Sequence, residues 1–316
     1  MKILFVAKCD YSGLTEGMIR AFARFDHDVN LFDLGRYRRQ AKYLGNDWVA
    51  KRLKRRLESL RPELIFIVAP IFVPLACYEI VVDYLDCTGA LCVGWIGDLF
   101  KLEKDVRDRL AIFDRLYYTD TGFSSLLRDY PSTYLPLATD PAIFPPINSR
   151  MKHDCVFVAA RTDNRESFLR SVKHPVMVFG PGWKGSAVDR MHHCFHGKKL
   201  TLHQTARLYS GANFVLNLKN ADNVINGLNQ RSFDPCVCRV PLLHDMVGDL
   251  TLNFEPESEL LVFSTPSEFD DQYDRALHDS SLGPRLAENA YRRVLSSHTY
   301  HHRAETVLID MQLRRG

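Results

Sequence analysis

Apolar residues in this chain come in short blocks, several of them unbroken, with polar, helix-forming stretches between them. The blocks cover residues 2–7, 28–34, 64–70, 90–96, 115–120, 154–158, 176–179, 214–218 and 241–245. Unbroken rather than alternating runs mark strands covered on both faces, as in parallel sheets. The intervening patterns predict helices near 15–25, 75–87, 102–110 and 201–210, with a short one at 124–129. Strand alternating with helix is the α/β order. The pattern breaks within residues 134–146, at Pro141, Pro145 and Pro146. Prolines so spaced exclude a regular helix or a central strand and give a stiff connection, so a domain boundary is expected near 148.

Composition narrows this picture without redirecting it. A chain of 316 residues has room for two ordinary domains, and 46% apolar residues suits two sizeable cores. The net charge of +3 is too small for a global field that would mark a nucleic-acid binder. No apolar run approaches the roughly 20 residues of a membrane helix. Met1–Ala7 is too short for a signal peptide and reads as a first buried strand. The eight cysteines are scattered, several within apolar blocks, which suits reduced core thiols and a cytoplasmic setting.

Charge is uneven locally. Residues 36–56 hold Arg36, Arg38, Arg39, Lys42, Lys51, Arg52, Lys54, Arg55 and Arg56 against Asp47, with Tyr37, Tyr43 and Trp48 among them. Cations interleaved with aromatics suit a phosphate backbone and exposed bases. The alternative is a solvated amphipathic helix whose Leu53 and Leu57 face the core. His192 and His196 have the i, i+4 spacing of a metal pair, with His193 between them, but no Glu accompanies them as in H-E-x-x-H, and no metal is assigned. The loop after the first block contains Gly13 and Gly17 but not G-x-G-x-x-G, so dinucleotide binding is not expected.

The richest chemistry lies in residues 208–245. A strand ending near Asn217 leads into an Asn-rich polar loop, then Asn229-Gln230-Arg231-Ser232-Phe233-Asp234, then a second strand. Strand, polar loop, helix start and strand build a polyanion crevice at the carboxyl ends of a parallel sheet. Arg231 can neutralise phosphate, and Asp234, on the same face of a helix, can accept from two ribose hydroxyls. The alternative is an Arg–Asp pair that only steadies a helix terminus. Gly97-Asp98 follows the block 90–96, where an open sheet places its working groups; Asp98 could instead cap the helix near 102–110.

This segment resembles the donor-binding motif of GT-B glycosyltransferases, in particular the family of the spore maturation protein CgeB. That family's pattern is roughly N-x-R-x-F-E, then A-C-G, then a small apolar strand. Asn229, Arg231 and Phe233 match it, Asp234 replaces the Glu, and Val237 and Arg239 replace the Ala and Gly. Arg enters the left-handed conformation that a Gly favours only at a cost. Further likenesses are Tyr134–Pro146 to "YLPLAADPxxFxP", Val176–Trp183 to "VYGPGW", and Ser297–Ala304 to "HTYxHRA". The resemblance covers most of residues 61–310 and is strongest from 134 onward.

The resemblance implies two Rossmann-like domains with parallel sheets in the GT-B arrangement. Residues 1–148 would bind the acceptor, 149–296 the nucleotide sugar, and 297–316 would form a C-terminal helix crossing back to the first domain. It also implies an edge strand at 254–255 and a helix at 266–279. Arg165 and Arg231 are assigned to the diphosphate with Arg161 assisting, Asp234 to the ribose, and Gly180 and Gly182 to close approach of the base. Asn217 and Asn229 complete the donor set. Asp98 is the expected general base, because sugar transfer takes a proton from the attacking hydroxyl; Asp10 is second. Ser12 and Gly13 of the first loop, with Arg38, Arg39 and Lys42, are the expected acceptor contacts. No cofactor and no metal are expected, since cationic side chains and a helix N-terminus can stabilise the departing diphosphate. The acceptor is left open: a hydroxymethylated base in DNA, another phosphate-bearing molecule, a protein or a polysaccharide. The departures at Asp234, Val237 and Arg239 keep a non-catalytic binding protein as the rival reading.

Overall fold

A computed structural model describes residues 1–9, 13–148, 153–192, 194–195 and 199–315. The chain divides into two compact units, Met1–Leu137 with Tyr300–Gly316, and Ala138–Thr299. The first unit runs β1 (Lys2–Ala7), α1 (Leu14–Ala23), β2 (Asp28–Asp33), α2 (Arg38–Leu44), α3 (Asn46–Leu60), β3 (Leu64–Val68), α4 (Leu75–Thr88), β4 (Leu91–Ile96), α5 (Lys104–Leu110), β5 (Arg115–Tyr118) and β6 (Ser132–Tyr134). The second runs β7 (His153–Val158), α6 (Asp163–Leu169), β8 (Met177–Phe179), α7 (Val188–Met191), β9 (Cys194–Phe195), α8 (Leu202–Ser210), β10 (Ala212–Asn217), α9 (Asp234–Val237), β11 (Leu242–Asp245), α10 (Leu250–Asn253), β12 (Leu261–Phe263), α11 (Pro266–His278) and α12 (Leu282–Ser297). A last helix, α13 (Tyr300–Arg315), returns to the first unit.

Each unit holds one sheet of parallel strands, in the orders β2-β1-β3-β4-β5-β6 and β12-β11-β10-β7-β8-β9. The unbroken apolar blocks explain this. Ile3–Ala7 and Leu64–Ile67 are fully buried, because helices cover both faces of the sheet. Strand order reverses between β1 and β3 in one unit and between β7 and β10 in the other. A crevice forms at such a switch point, beyond the carboxyl ends of the strands.

The return of α13 explains the Ser297–Ala304 motif. Tyr300 lies against Gly17 of α1, where an added Cβ would stand 2.2 Å from its ring, so only glycine fits. His301 stacks on Phe25 with ring centroids 4.5 Å apart. Arg303, buried, donates through Nε to the Pro136 carbonyl at 2.7 Å and through Nη2 to that of Leu137 at 3.1 Å. Burial pushes its pKa down to about 10.

Three local expectations are corrected. Residues 124–129 form turns after a 3-10 segment, Thr121–Phe123, rather than a helix. Asp120 accepts from the Gly122 amide at 2.8 Å, and Pro131 stops the turn from propagating. Residues 254–255 lie outside the strands, and the edge strand is β12. There the Phe254 amide closes α10 on Leu250, and its ring packs against Phe233 and His298. The basic stretch is two helices rather than one, broken at Gly45, whose φ is 79°.

Candidate functional site

In the Ala138–Thr299 unit the carboxyl ends of β7, β10 and β11 carry a connected polar cluster. Its hub is Asn217, the fully buried last residue of β10. Its Nδ2 donates to Ser232 Oγ at 3.1 Å and to His244 Nε2 at 2.9 Å. Its Oδ1 accepts from Asn229 Nδ2 at 3.2 Å and from Arg231 Nε at 3.3 Å. His244 Nδ1 donates to the Asp245 carbonyl at 2.6 Å, which leaves Nε2 as an acceptor for Ser232 and Asn217. Asn229 also caps the 3-10 turn at Gln230–Ser232 by accepting from the Arg231 amide at 2.9 Å. Arg231 is therefore held at its Nε, while its Nη groups have no hydrogen-bond partner among the described residues.

Two cations face one another here. Arg165, on α6, is 4% exposed and donates to the carbonyls of Ala160 and Leu218, with its Nη2–O contact to Leu218 at 3.0 Å. Burial, and then the neighbouring Arg231 charge, push its pKa down to about 9. Burial lowers the Arg231 pKa as well. Asp234 opens α9 and is 7% exposed. Burial pushes its carboxyl up to about 8, against the opposite pull of Thr139 and Arg231. Neighbouring guanidiniums, with the Arg231 charge disfavouring that of Arg165, gain from an anion placed beside them.

Other expected donor residues have partners of their own. Arg161 is exposed and paired with Glu166 and Asp163. Gly180 has a φ of 138° and lies against the Ala159 carbonyl, and Gly182 has a φ of 88°. Trp183 is a core residue whose Nε1 donates to Ala159 O at 2.8 Å. Arg239 does take the left-handed conformation, with a φ of 57°. Its guanidinium lies over the Tyr291 ring at 4.1 Å and 3.8 Å from Glu288, contacts a glycine could not make and which offset the backbone cost. His192 is a buried structural histidine, bonded to the Val176 amide and the Leu169 carbonyl; His193 and His196 lie outside the described residues.

The residues of the other unit surround a cavity of about 570 Å³ at the carboxyl ends of β1 to β5. Leu34, Val68, Phe72, Val73, Trp95 and Leu137 form apolar walls, and Lys8, Thr15, Arg38, Asp98 and Thr119 supply the polar groups. Asp98 is exposed to this cavity and does not cap α5, whose N-cap position is Glu103. Ala69 lines it with a φ of 52°, a strained backbone at the end of β3. Of the expected acceptor contacts, Arg38 lines the cavity. Arg39 and Lys42 are exposed elsewhere on α2, and Gly13 precedes α1 with a φ of 79°. Asp10 and Ser12 lie outside the described residues.

Residues 161–309 match the model of a family described as glycosyl transferase-like. Solved structures share the architecture along the whole chain. One is a sucrose-phosphate synthase from Thermosynechococcus elongatus, with 12% identity, a TM-score of 0.70, and 100% of this chain and 99% of that one covered. Another is Anabaena HepE in complex with UDP and glucose, with 10% identity, a TM-score of 0.71 and 99% of each chain covered. The fold is GT-B. A third structure with the GT-B fold is an α-glucosyltransferase in complex with UDP and a 13-mer DNA containing a central A:G mismatch, with 12% identity, a TM-score of 0.68, and 98% and 99% of the two chains covered. No curated protein matches the chain by sequence. Among the described residues, no helix of this GT-B chain is long and apolar enough to cross a membrane.

Sequence reasoning missed Ser232, His244 and Thr139 in or beside the polar cluster of the Ala138–Thr299 unit, and Lys8, Trp95 and Thr119 in the cavity. His244-Asp245 and Thr119-Asp120 both close apolar blocks, so strand-end position was the available signal.

Proposed function

We propose that this protein is a glycosyltransferase that moves a sugar from a nucleotide sugar to an acceptor hydroxyl. The donor is held by the Ala138–Thr299 unit, and the acceptor lies in the cavity of the other. The observation that carries the reading is Arg231, anchored at Nε by Asn217 with its Nη groups unpartnered among the described residues, beside the second buried cation Arg165. Such a pair suits a diphosphate, most directly through Arg231, while Arg165 acts through its field because its nitrogens already hold carbonyls. The acceptor oxygen forms a bond to the anomeric carbon as that carbon's bond to the diphosphate breaks, and the departing charge falls beside the two guanidiniums. Asp98 takes the hydroxyl proton. The guanidiniums supply the stabilisation that a divalent cation would otherwise give. UDP titrated in EDTA should bind the wild-type chain, and Arg231→Ala should weaken it by roughly 10–100-fold, the loss of about 1.5–3 kcal/mol in charge-assisted bonds. Unchanged affinity in that variant would remove Arg231 from the site.

Asp234 gives the donor unit a pH signature. An ordinary Asp releases its proton near 3.8, whereas folded Asp234 holds it to about 8. Between those values the folded state carries the extra proton, so the contribution to stability is full below the unfolded pKa and is lost as pH rises through the folded one. Without ligand, thermal stability should fall from pH 5 to pH 8, and Asp234→Asn should flatten that slope. An identical slope in the variant would assign the pH dependence to another group.

A nucleic-acid acceptor has one observation in its favour. Helices α2 and α3 expose Arg38, Arg39, Lys42, Lys51, Arg52, Lys54, Arg55 and Arg56, while Leu53 and Leu57 face the core. Tyr43 is 76% exposed, whereas Trp48 packs beneath Arg52 and against Tyr37. DNA bound through this face should lose affinity steeply as salt rises, because each neutralised phosphate releases counterions. Binding indifferent to salt would remove the reading.

A further inference from the structure

The cavity of the first unit has a chemistry of its own, which specifies the acceptor more closely. Its volume of about 570 Å³ suits a small molecule. Its walls are aliphatic and aromatic: Leu34, Val68, Val73, Trp95 and Leu137, with Phe72, 64% exposed, at the rim. A sugar seated there would press hydroxyls against side chains that offer no hydrogen bonds, and each buried unpaired hydroxyl is costly. A nucleobase needs several donors and acceptors along its edge. Apart from its charged groups, the cavity's side chains offer the hydroxyls of Thr15 and Thr119, and the latter already lies 3.4 Å from the Gly97 carbonyl. The side chains of Lys8 and Arg38 also line it, and neither side chain has an ion-pair or hydrogen-bond partner among the described residues. Asp98 is the carboxylate that lines it.

We propose that the acceptor is a small amphiphile: an apolar aryl or alkyl body carrying the reacting hydroxyl and an anionic group. The body lies on Leu34, Val68, Val73 and Trp95, the anionic group meets Lys8 and Arg38, and the hydroxyl is directed to Asp98. The inference rests on the transferase reading. In the step it implies, the hydroxyl oxygen bonds to the anomeric carbon, the electron pair of the broken bond leaves with the nucleoside diphosphate, and the proton passes to Asp98.

The test is calorimetric titration of the full chain with 6-hydroxy-2-naphthoate, beside 2-naphthol, maltose and a single-stranded oligonucleotide. The naphthoate should bind saturably and more tightly than 2-naphthol, and Arg38→Ala should weaken it roughly tenfold, the worth of one charge-assisted contact. Gly97→Leu should abolish it. At Gly97 the nearest neighbour of an added Cβ is Thr119 Oγ1 at 3.9 Å, so a side chain grows into the cavity without a clash. UDP binding by both variants confirms that the chain is folded. No naphthoate binding, equal binding by Gly97→Leu, or binding of maltose or the oligonucleotide in its place would overturn the proposal. Hydrolysis of UDP-glucose without acceptor reads the transferase assignment separately. Hydrolysis without naphthoate binding would sink the acceptor class alone. Naphthoate binding in a chain that binds no UDP would sink the transfer on which the proposal rests.

Discussion

Asp98→Asn should lower turnover by roughly 10²–10⁴-fold, the usual worth of a general base, while UDP affinity stays at the wild-type level. Asp98 follows β4 and lines the cavity, in the Met1–Leu137 unit rather than the one that holds Arg231. The competing assignment, a helix cap, fails on the structure because α5 begins later, with Glu103 at its N-cap position. Asparagine keeps the size and the hydrogen-bonding carbonyl of the side chain but cannot receive a proton at neutral pH. A substitution that removes only the proton acceptor should act on kcat and leave KM for the donor unchanged. The measurement is kcat with UDP-glucose and a phenolic acceptor, alongside the Kd for UDP. A kcat within threefold of wild type would exclude Asp98 as the base; a loss of UDP binding in step with kcat would point to a folding defect.

Much of the fold was legible because both units use strands buried on two faces. Ile3–Ala7 and Leu64–Ile67 are unbroken apolar runs for the reason that helices cover them on either side. The return helix was legible through the motif that holds Tyr300 and Arg303: one fills the space over Gly17, the other holds two carbonyls at the start of the proline-rich connection. The break at Gly45 was harder to see, since the apolar positions of α3 alone satisfy the periodicity of the basic stretch and α2 buries none of its residues. Helix α12, Leu282–Ser297, went unassigned although it buries Leu286, Ala290 and Val294 at helical spacing.

The sites were less legible than the elements. Arg231 and Asp234 could be singled out because they stand three residues apart, but what holds Arg231 is Asn217, at the end of β10, and what holds Asn217 includes His244, on β11. The cavity of the first unit draws on the ends of five strands and on Leu137. No spacing in the chain announces such a set; only the parallel register brings those ends together. The basic segment, conspicuous in the sequence, contributes Arg38 to the cavity and otherwise forms an exposed face.

Gly180→Ala should destabilise the Ala138–Thr299 unit by about 3–5 kcal/mol, at the severe end of single substitutions, and lower its Tm by roughly 10 °C or more. The sequence motif invited a ligand-facing role for this glycine, but the partner it meets is the chain itself. A Cβ at Gly180 would stand 2.2 Å from the Ala159 carbonyl oxygen and 2.7 Å from its carbon, and the φ of 138° is itself unfavourable to any L side chain. That carbonyl cannot retreat freely. It accepts from Trp183 Nε1 at 2.8 Å, the Ala159 amide is bonded to Phe179 O at 2.9 Å, and the Arg161 amide to Pro181 O at 3.0 Å. The loops after β7 and β8 are thus pinned to each other on both sides of the contact, so relief requires breaking hydrogen bonds that hold a buried tryptophan. Two nearby glycines provide the scale. Gly185, with a φ of 75° and open space around it, should cost about 1 kcal/mol on mutation to alanine, the backbone penalty alone. Gly182 should fall between, since its φ is 88° and the nearest atom to an added Cβ is Arg161 Cβ at 3.2 Å. Calorimetric melting of the three alanine variants should therefore rank Gly180 worst, then Gly182, then Gly185. A Gly180→Ala chain that melts with Gly185→Ala would show that the two loops separate easily, and that the glycine is kept for something other than this contact.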